Sequence, residues 1–150
     1  MTDNELKLGI KSLSEIDFYL RNLPARFHSE IKADLLSYTV DLNLKSEKEM
    51  DLLSATIHVT AKYTDEKWLR AFVWPELTSF SKEQIELLMH LTLKMDFNIS
   101  PFPEGEKLDD SILSLIAEMC ISTARGVVFS KTQGSVLANH LLPYMNVTKI

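Results

Sequence analysis

The chain contains a single cysteine, Cys120, so it forms no internal disulfide. It has only 4 glycines and 5 prolines in 150 residues, too few for a collagen-like or linker-type segment. No apolar run approaches the ~20 residues of a membrane span. The opening residues Met1-Thr2-Asp3-Asn4-Glu5 lack the basic-then-apolar layout of a secretion signal. Positive charge is scarce: 16 Lys and Arg stand against 21 Asp and Glu, a net charge of -5 with pI near 5.4. Such a chain is repelled by phosphate backbones, so nucleic acid is not an expected partner, and neither is a membrane. The expected compartment is the cytoplasm. Phosphate-cradling and nucleophile-elbow motifs of the types G-x-G-x-x-G, G-x-x-x-x-G-K-[ST] and G-x-S-x-G are all missing.

What remains is apolar enough to fold. The hydrophobic fraction is 45% and the charged fraction 25%, as in an ordinary globular domain, and the length fits one domain over residues 1–150. Charge is unevenly spread. Thr64 to Asp110 holds 10 acids against 5 bases, whereas Ser111 to Ile150 holds one acid, Glu118, against Arg125, Lys131 and Lys149. A solvated tail carries more charge than that, so the last quarter is expected to be buried.

The first half has the period of two that marks strands with one wet and one dry face. Ile16, Phe18 and Leu20 alternate with Asp17 and Tyr19. Val40, Leu42 and Leu44 alternate with Thr39, Asp41, Asn43 and Lys45. Ile57, Val59, Ala61 and Tyr63 alternate with Thr56, His58, Thr60 and Lys62. A fourth strand is expected at Trp68–Trp74, bent or at an edge because of Pro75. Short polar connections favour an antiparallel meander. Helix is expected from Ser81 onward: Ser81 and Gln84 form a capping box, Phe80 is placed to staple onto Ile85, and the helix runs to about Met95. A loop covers Phe97 to Asp110, and a second helix runs from near Asp110 to about Phe129. Strands thus occupy about 6–80 and helices about 81–150. In the second helix Ser114, Glu118, Ser122 and Arg125 form a narrow polar stripe and nearly everything else is apolar or small. A helix of that kind needs cover on two sides, which points to oligomerisation.

Candidate chemistry is sparse. His28, His58, His90 and His140 are far apart and pair with no second ligand at metal spacing, so neither a metal nor a cofactor is expected. Cys120 sits mid-helix among apolar residues, without the cationic neighbour that activates a thiolate. Glu118 within a helix wrapped by a sheet is similar to the arrangement of hot-dog thioesterases, and it carries the enzyme alternative. Its competing reading is a member of the polar stripe, since no second acid, base or oxyanion donor accompanies it. The aromatics Phe72, Trp74, Phe80, Phe97 and Phe102 read either as core or as a groove for extended peptide.

Ile16-Asp17-Phe18 leading into Asn22-Leu23-Pro24-Ala25-Arg26-Phe27 resembles the first strand and N-x-P-x-x-F turn of the SecB family. Thr39-Val40-Asp41-Leu42-Asn43 is similar to the family's second strand, and Ile57 through Ala61 to its third. Ile112–Leu113, Ala117–Ile121 and Arg125-Gly126 resemble its long helix. The resemblance implies an α+β fold with a four-stranded antiparallel sheet and two or three helices packed on one face. It implies a dimer or tetramer, with Ala117, Ile121, Ala124 and Val128 as interface candidates and edge pairing of strand one. The implied activity is non-enzymatic: a chaperone that holds unfolded precursor polypeptides, with Phe27, Ile31, Trp74, Leu141, Leu142 and Met145 as candidate contacts. An alternative is a SecB-like chaperone or interaction module dedicated to one partner, such as an antitoxin.

The family passes clients to the SecA motor, which docks on acidic side chains of the open sheet face. Here the first such position falls on Glu15, which matches, and the second on Tyr19, which does not; on strand four the next two contact positions, an apolar residue and an acid in the family, fall on Arg70 and Phe72. The chain ends at Ile150, where the family commonly continues with a further helix and a zinc-binding tail. Weak or absent handover to SecA is therefore expected.

Overall fold

The computed structural model describes residues 7–47, 49, 51–71, 81–100 and 110–138. Four strands, β1 (Lys7–Leu20), β2 (Leu36–Glu47), β3 (Leu52–Tyr63) and β4 (Leu87–Ser100), form one sheet in the order β1-β4-β3-β2. Every neighbouring pair is antiparallel. Two short helices, α1 (Glu66–Arg70) and α2 (Lys82–Glu86), lie in the connection between β3 and β4, and α3 (Asp110–Lys131) packs over β3 and β4. The α+β class, the antiparallel sheet and the long helix agree with the sequence reading.

The fourth strand is elsewhere than expected. Trp68 lies in α1, not in a strand. Asp65 caps that helix by accepting the Trp68 backbone N–H at 3.1 Å, and Arg70 pairs with Glu66 one turn back at 2.8 Å. Trp74 and Pro75 lie outside the described residues. The Ser81–Gln84 capping box does form, with both reciprocal hydrogen bonds present, but the helix it starts ends at Glu86. The chain then enters β4, so the division into a strand half and a helical half is corrected: the central strand of the sheet comes after the first helices.

β4 shows why. From Met89 to Ser100 its residues alternate without a break: Met89, Leu91, Leu93, Met95, Phe97 and Ile99 are buried, with His90, Thr92, Lys94, Asp96, Asn98 and Ser100 on the other face. Leu and Met favour helix in isolation, yet the period of two matches only a strand with one dry face. β3 supplies Leu53, Ala55, Ile57, Val59, Ala61 and Tyr63 to the same layer. From α3 come Ile116, Cys120, Ala124 and Val128, at successive intervals of four. The small side chains Cys120 and Ala124 let the helix approach the sheet closely. By length and apolar composition α3 also suffices to cross a membrane. Its fully buried face against the sheet is the position of a core layer.

The connection from β1 to β2 crosses the whole width of the sheet, because those two strands form opposite edges. It carries two short 3-10 turns, Ala25–Glu30 and Ala33–Leu35. The simple meander expected from the sequence therefore holds for β2, β3 and β4 alone.

Candidate functional site

The crossing segment is anchored at both ends. The Arg21 backbone N–H donates to the Leu88 carbonyl at 2.7 Å, and its guanidinium donates to the Gln84 carbonyl at 2.9 Å. Further along, Leu23 and Ile31 are buried. His28 Nε2–H donates to the Leu23 carbonyl at 3.0 Å, which curls the first turn back on itself. The Lys32 N–H donates to the Tyr63 hydroxyl at 3.2 Å, and Trp68 Nε1–H donates to Glu30 at 3.1 Å. Tyr63 and Trp68 meet edge to face with ring centroids 5.5 Å apart. The segment thus rests on an aromatic corner, with Phe27 half-buried at its top and the Arg26 guanidinium 4.8 Å from the Phe27 ring centre.

β1 carries the largest uncovered apolar strip on the sheet. Two bulges, at Lys11 and at Ile16, interrupt its pairing with β4. Ile10 and Leu13 stand opposite Phe97 and Met95, so they face the helix side, yet they are 54% and 48% exposed because α3 lies over β3 and β4 instead. Ile16 at the bulge is 60% exposed. On α3 itself Leu115 and Phe129 are about equally open, on the same outer stripe as Ser114, Glu118 and Ser122. Lys131 of α3 ties the helix to this edge: it pairs with Glu15 of β1 at 2.5 Å and lies 4.7 Å from the Phe18 ring centre.

Of the candidate contact residues, Phe27 is accessible and Ile31 is corrected to a core position, 8% exposed. Trp74, Leu141, Leu142 and Met145 lie outside the described residues. Ala117, Ile121, Ala124 and Val128 are already buried within the single chain. The chain covers that side of α3 by itself; the exposed large apolar side chains of the helix are Leu115 and Phe129. Glu15 sits opposite Leu93, on the helix side of the sheet, and is paired with Lys131, so it is not on the open face where a SecA-type partner was expected. Arg70 lies on α1, off the sheet, and Phe72 is outside the described residues.

The open face of the sheet is polar. Ser54 donates to Asp96 at 2.7 Å and Ser12 donates to it at 3.1 Å, and the first of these bonds is the main reason the Asp96 carboxyl is held below the usual carboxylate range. Nearby, His58 Nδ1 and His90 Nε2 lie 3.1 and 3.0 Å from the same Thr92 hydroxyl, and Asp17 lies 3.7 Å from His90. Sequence reading had the histidines apart. The register of β3 with β4 brings two of them together, and the signal was the alternation in β4.

This geometry does little as an active site. In a Thr-His-Asp relay the acid must hold the ring nitrogen remote from the hydroxyl. Here Asp17 and Thr92 both approach Nε2 of His90. Cys120 is buried, which pushes its thiol up to about 12 and leaves it an inert core residue. Glu118 is exposed on the outer side of α3.

No known protein-family profile matches the chain, and no curated protein matches it in sequence. Solved structures do match in fold. The SecB-like chaperone Rv1957 of Mycobacterium tuberculosis, in complex with a ChAD peptide from the Rv1956 HigA1 antitoxin, superposes with a TM-score of 0.50 at 10% identity, covering 95% of this chain and 92% of that one. A protein of unknown function from Streptococcus agalactiae gives 0.46 at 6% identity, covering 95% of this chain and 99% of that one. The fold of this chain is that of the SecB-like chaperones.

Proposed function

We propose that this chain is a SecB-like chaperone that binds unfolded polypeptide, works as a homo-oligomer in the cytoplasm and catalyses no reaction. The observation that carries the reading is the apolar strip Ile10, Leu13 and Ile16 along a free sheet edge, in a fold shared with a chaperone that has been seen holding a peptide. Three large aliphatic side chains left in water on one strand are costly to maintain without something to cover them. Edge pairing of β1 with a second copy would cover them, with Leu115 and Phe129 meeting the same neighbour. Client contacts are assigned to Phe27, Trp74, Leu141, Leu142 and Met145.

A dedicated role is the second reading, favoured by the antitoxin peptide in the mycobacterial complex. Export is the weaker one. Glu15 is engaged by Lys131, the positions expected to carry the remaining two acids hold Tyr19 and Phe72, and Arg70 stands where an apolar residue is expected, so a basic partner finds poor charge complementarity. The test is light scattering of a denatured model protein refolding in the presence of this chain. Suppression of aggregation at a few-fold molar excess supports a general holdase. Suppression only of one antitoxin neighbour's aggregation supports the dedicated role, and suppression of neither overturns both.

A further inference from the structure

We propose that His58 and His90, on the open face of the sheet, form a binding site for a borderline divalent transition metal of the zinc type, with Asp17 as a third ligand. The placement follows from register. His58 on β3 stands opposite Thr92 on β4, and His90 is two residues before Thr92, so both imidazoles rise from the same face as diagonal neighbours. Their ring centres are 6.2 Å apart and the planes are inclined by only 25°. One nitrogen of each ring points at the same spot, the Thr92 hydroxyl, at 3.1 and 3.0 Å.

That shared hydroxyl can serve both imidazoles at once, donating its proton to one ring and accepting an N–H from the other. A metal ion accepts both lone pairs at once. Two imidazole nitrogens on one zinc stand about 3.3 Å apart, at bond lengths near 2.0–2.1 Å. Both nitrogens are already within 3.1 Å of a common point, so small rotations of the two rings bring them into that range. Thr92 itself is buried beneath them and acts as the floor of the site.

The third ligand is within reach. The Asp17 carboxylate lies 3.7 Å from His90 Nε2, and its side chain is 65% exposed, so it is free to swing onto an ion. Among the described residues no three such side chains already surround one point, which makes this a two-imidazole site completed by a mobile carboxylate and water. Asp41 stands opposite His58 on β2, while Lys62 and Lys94 occupy the same face. The attraction assigned to the site is that of the nitrogen ligands. Imidazole selects zinc, nickel and copper over magnesium and calcium.

The experiment uses the untagged full chain, stripped with a chelator, and titrates it with Zn²⁺ alone while following the imidazole resonances by NMR. The expected result is saturable shifts of the His58 and His90 rings together at one equivalent of zinc, with the His28 ring unmoved and no response to Mg²⁺. His58→Gln and His90→Gln should each weaken binding by at least about tenfold, the lower bound seen even for loss of an outer-shell partner. Both side chains lie outside the core, so an unchanged circular dichroism spectrum certifies the fold of each variant. Failure of the two rings to saturate together, or zinc binding unaltered in the His58→Gln/His90→Gln double variant, would overturn the site.

Discussion

The two edges of the sheet solve the same problem differently. β2 pairs with β3 over 12 consecutive residues without a bulge, and its apolar side chains Leu36, Tyr38, Val40, Leu42 and Leu44 are all at least partly covered and packed against the core. β1 is two residues longer, is broken by two bulges, and leaves Ile10, Leu13 and Ile16 about half in water. Among the described residues neither strand has a pairing partner on its outer side. Only β1 adds exposed apolar surface to that side. A free edge with apolar side chains is a pairing site, whereas a free edge whose apolar residues are turned into the core is a boundary. The comparison is the reason the proposed self-association is assigned to β1.

The largest contrast comes from placing a charge at equivalent positions on the two edges. Val40→Asp puts an unpaired carboxylate against the core layer, and it is expected to lower stability by about 1–3 kcal/mol, read from a shifted urea midpoint with unchanged slope. Leu13→Asp should shift that midpoint by no more than about 0.5 kcal/mol in the dissociated chain, while sedimentation velocity shows the oligomer lost. Equal destabilisation by the two substitutions, with assembly intact, would erase the distinction.

A smaller effect concerns the tie between α3 and the exposed edge. Glu15 and Lys131 are each about one-third to two-fifths exposed, so solvent screens their attraction. Lys131→Met keeps much of the contact with Phe18 and removes the ion pair. It should cost about 0.2–1 kcal/mol, and added salt should reduce the wild-type advantage. A salt-independent loss would assign the tie to packing on Phe18 alone.

The smallest effect is on the acid side. Asp96 titrates below its ordinary value because Ser54 and Ser12 donate to its ionised form. A carboxyl with a depressed folded pKa contributes stability that is present above its unfolded pKa and is lost as pH falls through its folded one. Unfolding followed from pH 5 down to pH 2 should therefore lose a little stability below about pH 4, the usual carboxylate range. Asp96→Asn should flatten that limb. An identical acid profile in the variant would show that the serines do not act on this group.

Much of this fold was legible before any coordinates. The alternation in β2 and β3, the cap at Ser81 and the near-complete apolar girth of α3 each dictated the element found there. β4 was missed for a physical reason. A genuine helix cap precedes it, and Leu87, Leu88, Met89, Leu91 and Leu93 are helix-favouring residues, so local preference pointed one way while the strict alternation through Ser100 pointed the other. Tertiary burial decided in favour of the alternation. The histidine pair was lost with the strand, since His58 and His90 become neighbours only once β3 and β4 are in register. A helix needing two-sided cover points to a second subunit when only one layer is counted, yet Ala117, Ile121, Ala124 and Val128 are covered within this chain. Among the described residues the exposed large apolar side chains are Ile10, Leu13, Ile16 and Tyr19 on β1 and Leu115 and Phe129 on α3, and the bulges make the spacing on β1 irregular.

The central claim is that this chain holds unfolded polypeptide through its apolar surface. Hydrogen–deuterium exchange of the full chain, with and without excess of a permanently unfolded client, tests it directly. The account predicts client-dependent protection in peptides spanning Leu23 to Leu35, around Phe27, with the open-face strand segments Thr56–Thr60 and His90–Asp96 unchanged. Absence of protection anywhere on the chain, or protection confined to those open-face segments, would contradict it.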